Sequence, residues 1–398
     1  MNQTILKRLD DAITSTIIGH CEDPDCNVGA SICIIHNGKE VYRKEYGEAD
    51  KELHKPMKAD TIFRCYSMTK PITSVAVMSL VEKGVLALSD PASKYLPGFQ
   101  NQKVYTPEGL VPANREVTIQ DLMDMTAGVT YPDASFPAGE YMQKLNDKFY
   151  ADLEAGNPTP TTYELANMIG EQPLAFQPGD NWLYGFCADV LGAIIEVVSG
   201  KRYIDYLQET IFKPLGMVDT DFYVPEEKQD RFMQFYQYMP ETQTLDPCTW
   251  QHLCLSHMHL KQPTFESGGA GLVSTQDDYS KFVKMMLGMG TYNGVRILGR
   301  KTVEWMTQNH LHDKQFEGYN WTELKGYGYG NLMRCMIHTE RSESIGSNGE
   351  YGWDGWLGSY VSMDPQEDLG IIYVINKCGG NGYRDVQVIR DIVYAALD

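Results

Sequence analysis

A serine and a lysine stand three residues apart, Ser67 and Lys70, where an apolar pattern of helical spacing begins. A serine hydroxyl is a poor nucleophile at neutral pH and needs a neighbouring group that removes its proton. Since three residues span about one helical turn, the amine is expected on the same face as the hydroxyl. If both are buried, desolvation lowers the lysine pKa toward the range in which a neutral amine acts as a base. The spacing is therefore typical of a nucleophilic serine with a lysine base.

The residues that follow predict a helix that starts at Ser67. Apolar residues recur at helical spacing from Ile72 to Leu80, and Gly84 ends the pattern. Pro71 fits, because proline is tolerated in a first helical turn. The free N–H groups of a helix start can also stabilise an oxyanion. The alternative is a capping serine and a solvated lysine on a surface helix, which the tetrapeptide alone does not exclude.

Length and charge limit the possible partners. With 398 residues the chain is long enough for a large core and for two domains or lobes. Its net charge of -19 repels nucleic acid and anionic membrane surfaces, so neither is predicted as a partner. The first residues lack the apolar run of a secretory signal, and no segment approaches the roughly 18 apolar residues of a membrane span. A cytoplasmic protein is expected, and its oligomeric state is not predicted.

The nine cysteines and the paired histidines do not predict a metal site. The cysteines are scattered, which fits free thiols in a reducing compartment. We interpret Cys21 and Cys26 as two unrelated thiols of a polar loop. His257 with His259, like the pair at 310 and 312, lacks an accompanying carboxylate pattern. No metal and no cofactor are therefore predicted.

The order of predicted elements indicates an α+β fold. Helical spacing at residues 4–19 precedes predicted strands at 29–35 and 40–46, which the hairpin signal Asn37-Gly38 connects. From residue 86 to residue 265 the pattern consists of helical segments and long loops, without strand alternation of any length. The last third then predicts further elements, namely a helix at 276–287, strands at 327–333, 358–363 and 369–375, and a closing helix at 384–397.

This order predicts two lobes. Residues 1–66 and 266–398 would form an α/β lobe with a central antiparallel sheet. Residues 67–265 would form a mostly helical lobe. The active site is expected between the two.

Six stretches in this order resemble motifs of the serine β-lactamase-related family, which contains class C β-lactamases, D-alanyl-D-alanine carboxypeptidases and family VIII carboxylesterases. Residues 67–70 resemble its Ser-x-x-Lys motif, and the other stretches are 88–97, 121–128, 178–192, 211–217 and 352–360. The resemblance runs from about residue 25 to the C-terminus. It implies a β-lactamase/transpeptidase-like fold, with an antiparallel sheet flanked by helices and a mostly helical lobe.

The resemblance implies a second catalytic group, Tyr184. A phenol beside a lysine can carry a proton from Ser67 to the leaving group. Many relatives carry Tyr-x-Asn here, whereas this chain has Phe186 at the place of the asparagine. That change removes an amide that would contact the lysine and a substrate's acylamino group, and it places Phe186 among the predicted substrate-binding residues.

The segment from Trp353 to Trp356 resembles the Trp-x-Gly variant of a family strand that otherwise carries Lys-Thr-Gly. The resemblance implies that Trp353, Asp354 and Gly355 bind substrate, with the glycine allowing close approach of the backbone to an acyl group. The N–H of Trp356 would complete an oxyanion hole with that of Ser67. Trp353 cannot pair with the carboxylate of a β-lactam or a D-Ala-D-Ala peptide, and losing such a contact costs about 1.5–3 kcal/mol.

These residues together predict a serine carboxylesterase with a small-molecule ester as substrate. Ser67 would form the acyl-enzyme, with Lys70 and Tyr184 as general acid and base. A β-lactamase or D-Ala-type peptidase, or an acyltransferase on the same fold, stays an alternative. A non-catalytic binding protein is disfavoured because all three groups are retained, and an α/β-hydrolase because no Gly-x-Ser-x-Gly motif is present.

Overall fold

The computed structural model describes residues 1–19, 26–249, 251–256, 258–378 and 382–397. The helices within these residues are α1 (Gln3–Leu6), α2 (Arg8–Thr14), α3 (Thr69–Glu82), α4 (Ile119–Met123), α5 (Pro137–Glu154), α6 (Thr162–Gly170), α7 (Cys187–Ser199), α8 (Tyr203–Leu207), α9 (Lys213–Leu215), α10 (Gln276–Leu287), α11 (Arg300–Met306) and α12 (Gly382–Ala395). The strands are β1 (Gly29–His36), β2 (Lys39–Asp50), β3 (Lys55–Pro56), β4 (Phe63–Arg64), β5 (Lys103–Thr106), β6 (Gly109–Pro112), β7 (Tyr236–Met239), β8 (Thr244–Pro247), β9 (Val273–Ser274), β10 (Thr291–Tyr292), β11 (Val295–Arg296), β12 (Tyr327–Gly330), β13 (Met333–Met336), β14 (Tyr351–Gly352), β15 (Tyr360–Asp364), β16 (Leu369–Ile375) and β17 (Lys377–Cys378).

An eight-stranded sheet joins the two ends of the chain. Its strand order is β12-β13-β14-β15-β16-β1-β2-β3, and each neighbouring pair is antiparallel. The hairpin between β1 and β2 turns at Asn37 and Gly38, both with positive φ, as the sequence predicted. This sheet among helices confirms the predicted α+β class.

The centre of the sheet is covered on both faces. Along β1, Ile32 and Ile34 belong to a core with α2 and α12, whereas Cys33 and Ile35 belong to the larger core on the opposite face. This alternation follows from the two-residue period of a strand. Because both faces are buried, β1 is apolar nearly throughout, which is why its sequence shows a continuous run of apolar residues.

The nucleophile helix α3 lies inside the larger core. Every residue from Thr69 to Leu80 is buried, and the helix packs against α7. Helix α7 ends at Gly200, whose φ of 68° is left-handed, as the predicted glycine stop requires. A helix buried on all sides holds its first turn rigidly, and Ser67 lies two residues before that turn.

Two expectations about strands were wrong. The region between residues 86 and 265 contains two hairpins, β5-β6 and β7-β8, whose strands have four residues each. Such short strands give too little alternation for a period to be recognised. Residues 327–333 form the start of a hairpin, β12-β13, which turns at Asn331 and Leu332 with positive φ. The lobe boundaries at 66/67 and 265/266 stay a prediction.

The interpretation of Cys26 as an unrelated free thiol was wrong. Cys26 forms a disulfide bond, whereas Cys21 and His257 lie outside the described residues. The seven other cysteines are free thiols. Within the described part of the chain, no helix has the length and apolar composition that crossing a membrane requires.

Candidate active site

Ser67 lies in a short 3₁₀ turn, Tyr66–Met68, directly before α3, so the α-helix begins two residues later than predicted. Tyr66 has a positive φ of 43°, a costly conformation for a bulky residue, and one that often occurs at functional sites. The Tyr66 ring is buried and packs edge-on against Phe235 and Trp356. This packing holds the strained turn that presents the Ser67 hydroxyl.

Lys70 is fully buried one turn after the serine. Its Nζ donates hydrogen bonds to Ser67 Oγ at 3.1 Å, to Tyr131 OH at 3.1 Å and to the Gly269 carbonyl at 2.8 Å. Burial lowers the pKa of Lys70 to about 7, although the nearby Asp189 carboxylate acts in the opposite direction. A large fraction of the amine is therefore neutral near pH 7, as a general base requires.

Tyr184 contacts the same hydroxyl from the other side. Its OH donates to Ser67 Oγ at 2.7 Å and accepts from Trp353 Nε1 at 2.9 Å. Lys70 Nζ lies 4.4 Å from the centre of the Tyr184 ring. Burial raises the pKa of Tyr184, and its hydrogen bonds to Ser67 and Trp353 only partly offset this. The resting phenol is therefore protonated, which makes the lysine the group poised to accept a proton.

Asp189, which the sequence analysis did not identify, positions Lys70 indirectly through the segment that contains Gly269. It lies in the first turn of α7, and its Oδ1 accepts hydrogen bonds from Ser267 Oγ and from the Gly269 N–H. The Gly269 carbonyl in turn accepts from Lys70. A Cβ at Gly269 would lie 2.5 Å from Asp189 Oδ2 and 3.1 Å from Tyr131 OH, so only glycine fits there. Asp189 thus fixes the segment from Ser267 to Gly269 by hydrogen bonds, and the Gly269 carbonyl of that segment binds Lys70.

Tyr131 supplies the polar contact that the missing asparagine amide would have made. Its hydroxyl accepts from Lys70, and the Phe186 ring packs edge-on against it with ring centres 4.8 Å apart. Phe186 is 1% exposed and does not line the cavity above the serine. Phe186 is therefore not a wall residue of this cavity, and its role in substrate binding stays a prediction.

A cavity of about 320 Å³ opens above Ser67. Its aromatic lining residues are Tyr184, Trp321, Trp353, Trp356, Tyr360 and Tyr383. Asp354 and Glu323 are its acidic lining residues, and within the described chain no lysine or arginine lines it. A wider groove of about 1070 Å³ lies along α5 and α6, but it contains none of the predicted site residues.

The segment after β14 closes on the serine turn. Gly355 lies so near Cys65 that a Cβ would be 2.9 Å from the Cys65 carbonyl oxygen. This close approach explains the glycine and brings Trp356 near Ser67, as the oxyanion-hole prediction requires. The Trp356 ring packs on Tyr66, and the hole itself stays a prediction.

Trp321 is a cavity residue that no sequence motif indicated. It lies 137 residues after Tyr184, and its ring centre is 5.3 Å from that of Tyr184 and 6.4 Å from that of Trp353. Tyr131 was missed for the same reason, because neither residue stands in a motif and only the folded chain brings them together. The nearest signal for Tyr131 was its position three residues after the stretch 121–128.

Known proteins resemble this chain over nearly its full length. The model of the Beta-lactamase family matches residues 21–396. Protein Rv1367c of Mycobacterium tuberculosis is 33% identical over 364 residues, which cover 88% of this chain and 86% of the relative. Esterase EstB of Burkholderia gladioli is 28% identical over 379 residues, covering 92% and 91%. Among solved structures, EstCE1, described as a hydrolase with promiscuous acyltransferase activity, superposes with a TM-score of 0.81 at 25% identity, covering 98% of this chain and 99% of its own.

Proposed function

The chain belongs to the beta-lactamase family, and from this premise we propose that it is a serine carboxylesterase that forms an acyl-enzyme on Ser67. The membership confirms the family resemblance and the β-lactamase/transpeptidase-like fold that the sequence predicted. The observation that carries the proposal is the convergence of Lys70 Nζ and Tyr184 OH on one serine oxygen. That oxygen lies at the floor of an aromatic cavity.

The proposed acylation begins with the neutral amine of Lys70. It takes the proton of Ser67 while Oγ attacks the ester carbonyl carbon. The N–H groups of Ser67 and Trp356 stabilise the oxyanion. As the C–O bond breaks, the Tyr184 phenol gives its proton to the leaving alcohol oxygen and regains one from the Lys70 ammonium.

Deacylation reverses these roles. Water attacks the acyl carbon and loses a proton to the Tyr184–Lys70 pair, and Ser67 Oγ regains a proton as it leaves. Because the resting phenol is protonated and the lysine pKa lies near 7, the pair holds one mobile proton in both half-reactions. Neither half-reaction consumes a cofactor.

The cavity supports an ester rather than a carboxylate-bearing β-lactam or peptide as the substrate. Trp353 stands where many relatives carry a lysine. Among the described residues, no lysine or arginine lines the cavity. EstB, which the match covers over 91% of its length, is named an esterase. An acyltransferase is the second candidate, since EstCE1 is described as having that activity besides hydrolysis. The two differ only in whether water or a bound alcohol attacks the acyl-enzyme.

The test combines covalent labelling with a substrate comparison. A fluorophosphonate should add one label, which Ser67→Ala should lose and Ser359→Ala, a serine in the same cavity, should keep. The protein should hydrolyse p-nitrophenyl butyrate far faster than a chromogenic cephalosporin. Labelling that persists in Ser67→Ala would exclude the proposed nucleophile, and equal turnover of the cephalosporin would favour a β-lactamase. Ester formation with added alcohols would identify an acyltransferase. The cytoplasmic location stays a prediction that cell fractionation would test.

A further inference from the structure

The cavity above Ser67 combines aromatic rings with an excess of negative charge. Six aromatic and two acidic side chains line it, and no lysine or arginine of the described residues does so. Aromatic faces attract cations, most strongly the face of tryptophan, and a carboxylate at the mouth adds to that attraction. We propose that the alcohol arm of the substrate ester carries a positive charge, as a quaternary ammonium or a protonated amine. This inference rests on the proposed esterase function and narrows its substrate class.

Three cations in a smaller pocket beside the cavity, Lys325, Arg334 and Arg390, do not offset this charge, because each of them is already paired. Their ion-pair partners are Glu343, Asp354 and Glu350, respectively. Glu323 lines both spaces and has no ion-pair partner within the described part of the chain. Lys70 lies behind Ser67 and does not line the cavity. Among the described residues that line the cavity, the charged group left without an ion-pair partner is therefore the Glu323 carboxylate.

Trp321 is a partly exposed residue that lines the cavity together with Glu323. Its side chain is 39% exposed although three aromatic rings, Trp182, Tyr184 and Trp353, surround it. Since Trp321 also lines the cavity, part of its surface is open to a ligand there. Trp321 and Glu323 are two residues apart in the same short turn.

The position of Tyr184 indicates which arm of the ester meets these groups. In the proposed reaction the phenol must reach the leaving oxygen, so whatever flanks the phenol also flanks the alcohol arm. Trp321 and Trp353 lie with ring centres 5.3 and 5.4 Å from that of Tyr184. An ammonium group two carbons from the leaving oxygen, as in a choline ester, would therefore lie against these rings.

A matched pair of esters tests the charge preference. Butyrylcholine and 3,3-dimethylbutyl butyrate have the same shape, but the second has carbon in place of the cationic nitrogen. We expect kcat/KM to be about tenfold higher for the choline ester. Glu323→Gln should lower that ratio about fivefold through the choline ester alone. Glu317→Gln, which removes the same charge outside the cavity, should leave the ratio unchanged.

Trp321→Leu should lower the ratio of the two kcat/KM values by a larger factor than Glu323→Gln does. Trp305→Leu is its control. Trp305 is 40% exposed, nearly the same as Trp321, but lies on α11 outside the cavity. Equal kcat/KM for the two esters, with hydrolysis of both lost in Ser67→Ala, would overturn the charge preference and leave the esterase function intact.

A binding measurement separates the two proposals if neither ester is hydrolysed. In that case the esterase function fails, and tetramethylammonium is titrated into Ser67→Ala while tryptophan fluorescence is recorded. Saturable quenching that Glu323→Gln weakens supports a cation site. Absence of saturable quenching overturns it.

Discussion

Ser67 lies between two regions that are built in different ways. Behind it, Lys70 is buried in a polar cluster in which Tyr131 and the Gly269 carbonyl accept its hydrogen bonds. In front of it, six aromatic side chains and the carboxylates of Asp354 and Glu323 line the cavity, and Trp353 Nε1 donates a hydrogen bond to Tyr184 OH. We expect the rear region to set the protonation states of the catalytic groups and the front region to set which substrates bind.

This difference predicts two kinds of variant. Because every ester depends on the same proton transfers, a change behind Ser67 should slow all substrates by a similar factor. A change in front should alter the ratio between substrates, because each ester meets the wall with a different arm. Measuring two esters and one cephalosporin for every variant would show whether this division holds.

The largest effect is expected from the two groups that contact Ser67 Oγ. Lys70→Ala and Tyr184→Phe should each lower kcat by roughly 10²–10⁴-fold for every substrate, the usual range for loss of general acid or base help. Steady-state kinetics with p-nitrophenyl butyrate measure this, and unchanged circular dichroism controls for folding. Activity within tenfold of the parent in either variant would require another base.

The pH dependence should identify the lysine as that base. Its pKa of about 7 predicts that kcat/KM rises about tenfold per pH unit below pH 7 and levels off above it, because only the neutral amine accepts a proton. The Asp189 carboxylate favours the ammonium, so Asp189→Asn should lower this pKa and move the rise to lower pH. A merely structural role would reduce activity without moving the profile. A profile that stays flat between pH 5 and 8 would contradict the assignment of Lys70.

Much of the fold and the three central residues could be predicted from the sequence. The predicted helix at 276–287 has the bounds of α10, and the predicted strand at 369–375 has those of β16. Both lie in segments with a clear period or a continuous apolar run. Ser67 and Lys70 were found because one helical turn brings them together, whereas Tyr184 was found only through the family motif.

The supporting residues could not be predicted, because distant segments bring them together. Tyr131 and Asp189 contact the lysine region from loops and helices that carry no local signal for it. Phe186 was predicted to bind substrate, but its ring packs against Tyr131 and does not line the cavity above Ser67. The sequence shows that Phe186 lacks the amide of an asparagine. Only the folded structure shows that Tyr131 provides a polar contact to Lys70 instead.

A smaller effect, confined to substrate ratios, is expected from the front region. Trp353→Lys restores a cation that can pair with a carboxylate, so kcat/KM for a cephalosporin should rise about tenfold. The same change removes the ring beside Tyr184 and should lower the rate with p-nitrophenyl butyrate. Trp305→Leu, outside the cavity, is the control. If both substrates change by the same factor, the wall does not select between them and the comparison between the two regions fails.

The smallest effect is expected from Tyr131, whose hydroxyl accepts a hydrogen bond from the lysine and lies one step further from the reacting serine. Tyr131→Phe removes one of the three hydrogen bonds of Lys70 Nζ, and a net hydrogen bond is worth about 1 kcal/mol. We therefore expect kcat to fall about fivefold for every ester, with their ratios unchanged. The phenyl ring keeps its packing against Phe186, so thermal unfolding should change little.

The double variant Tyr131→Phe with Phe186→Asn makes this prediction sharper. An asparagine at position 186 would return an amide oxygen to the place where relatives carry one, and it should recover part of the lost kcat. Phe186→Asn alone, with the tyrosine present, should bring no gain because the lysine already has its acceptor. Recovery in the double variant would show that the two side chains are alternative acceptors for the same proton donor. A loss in the double variant equal to the product of the two single losses would instead show that the two positions act independently and that the asparagine does not replace the lost acceptor.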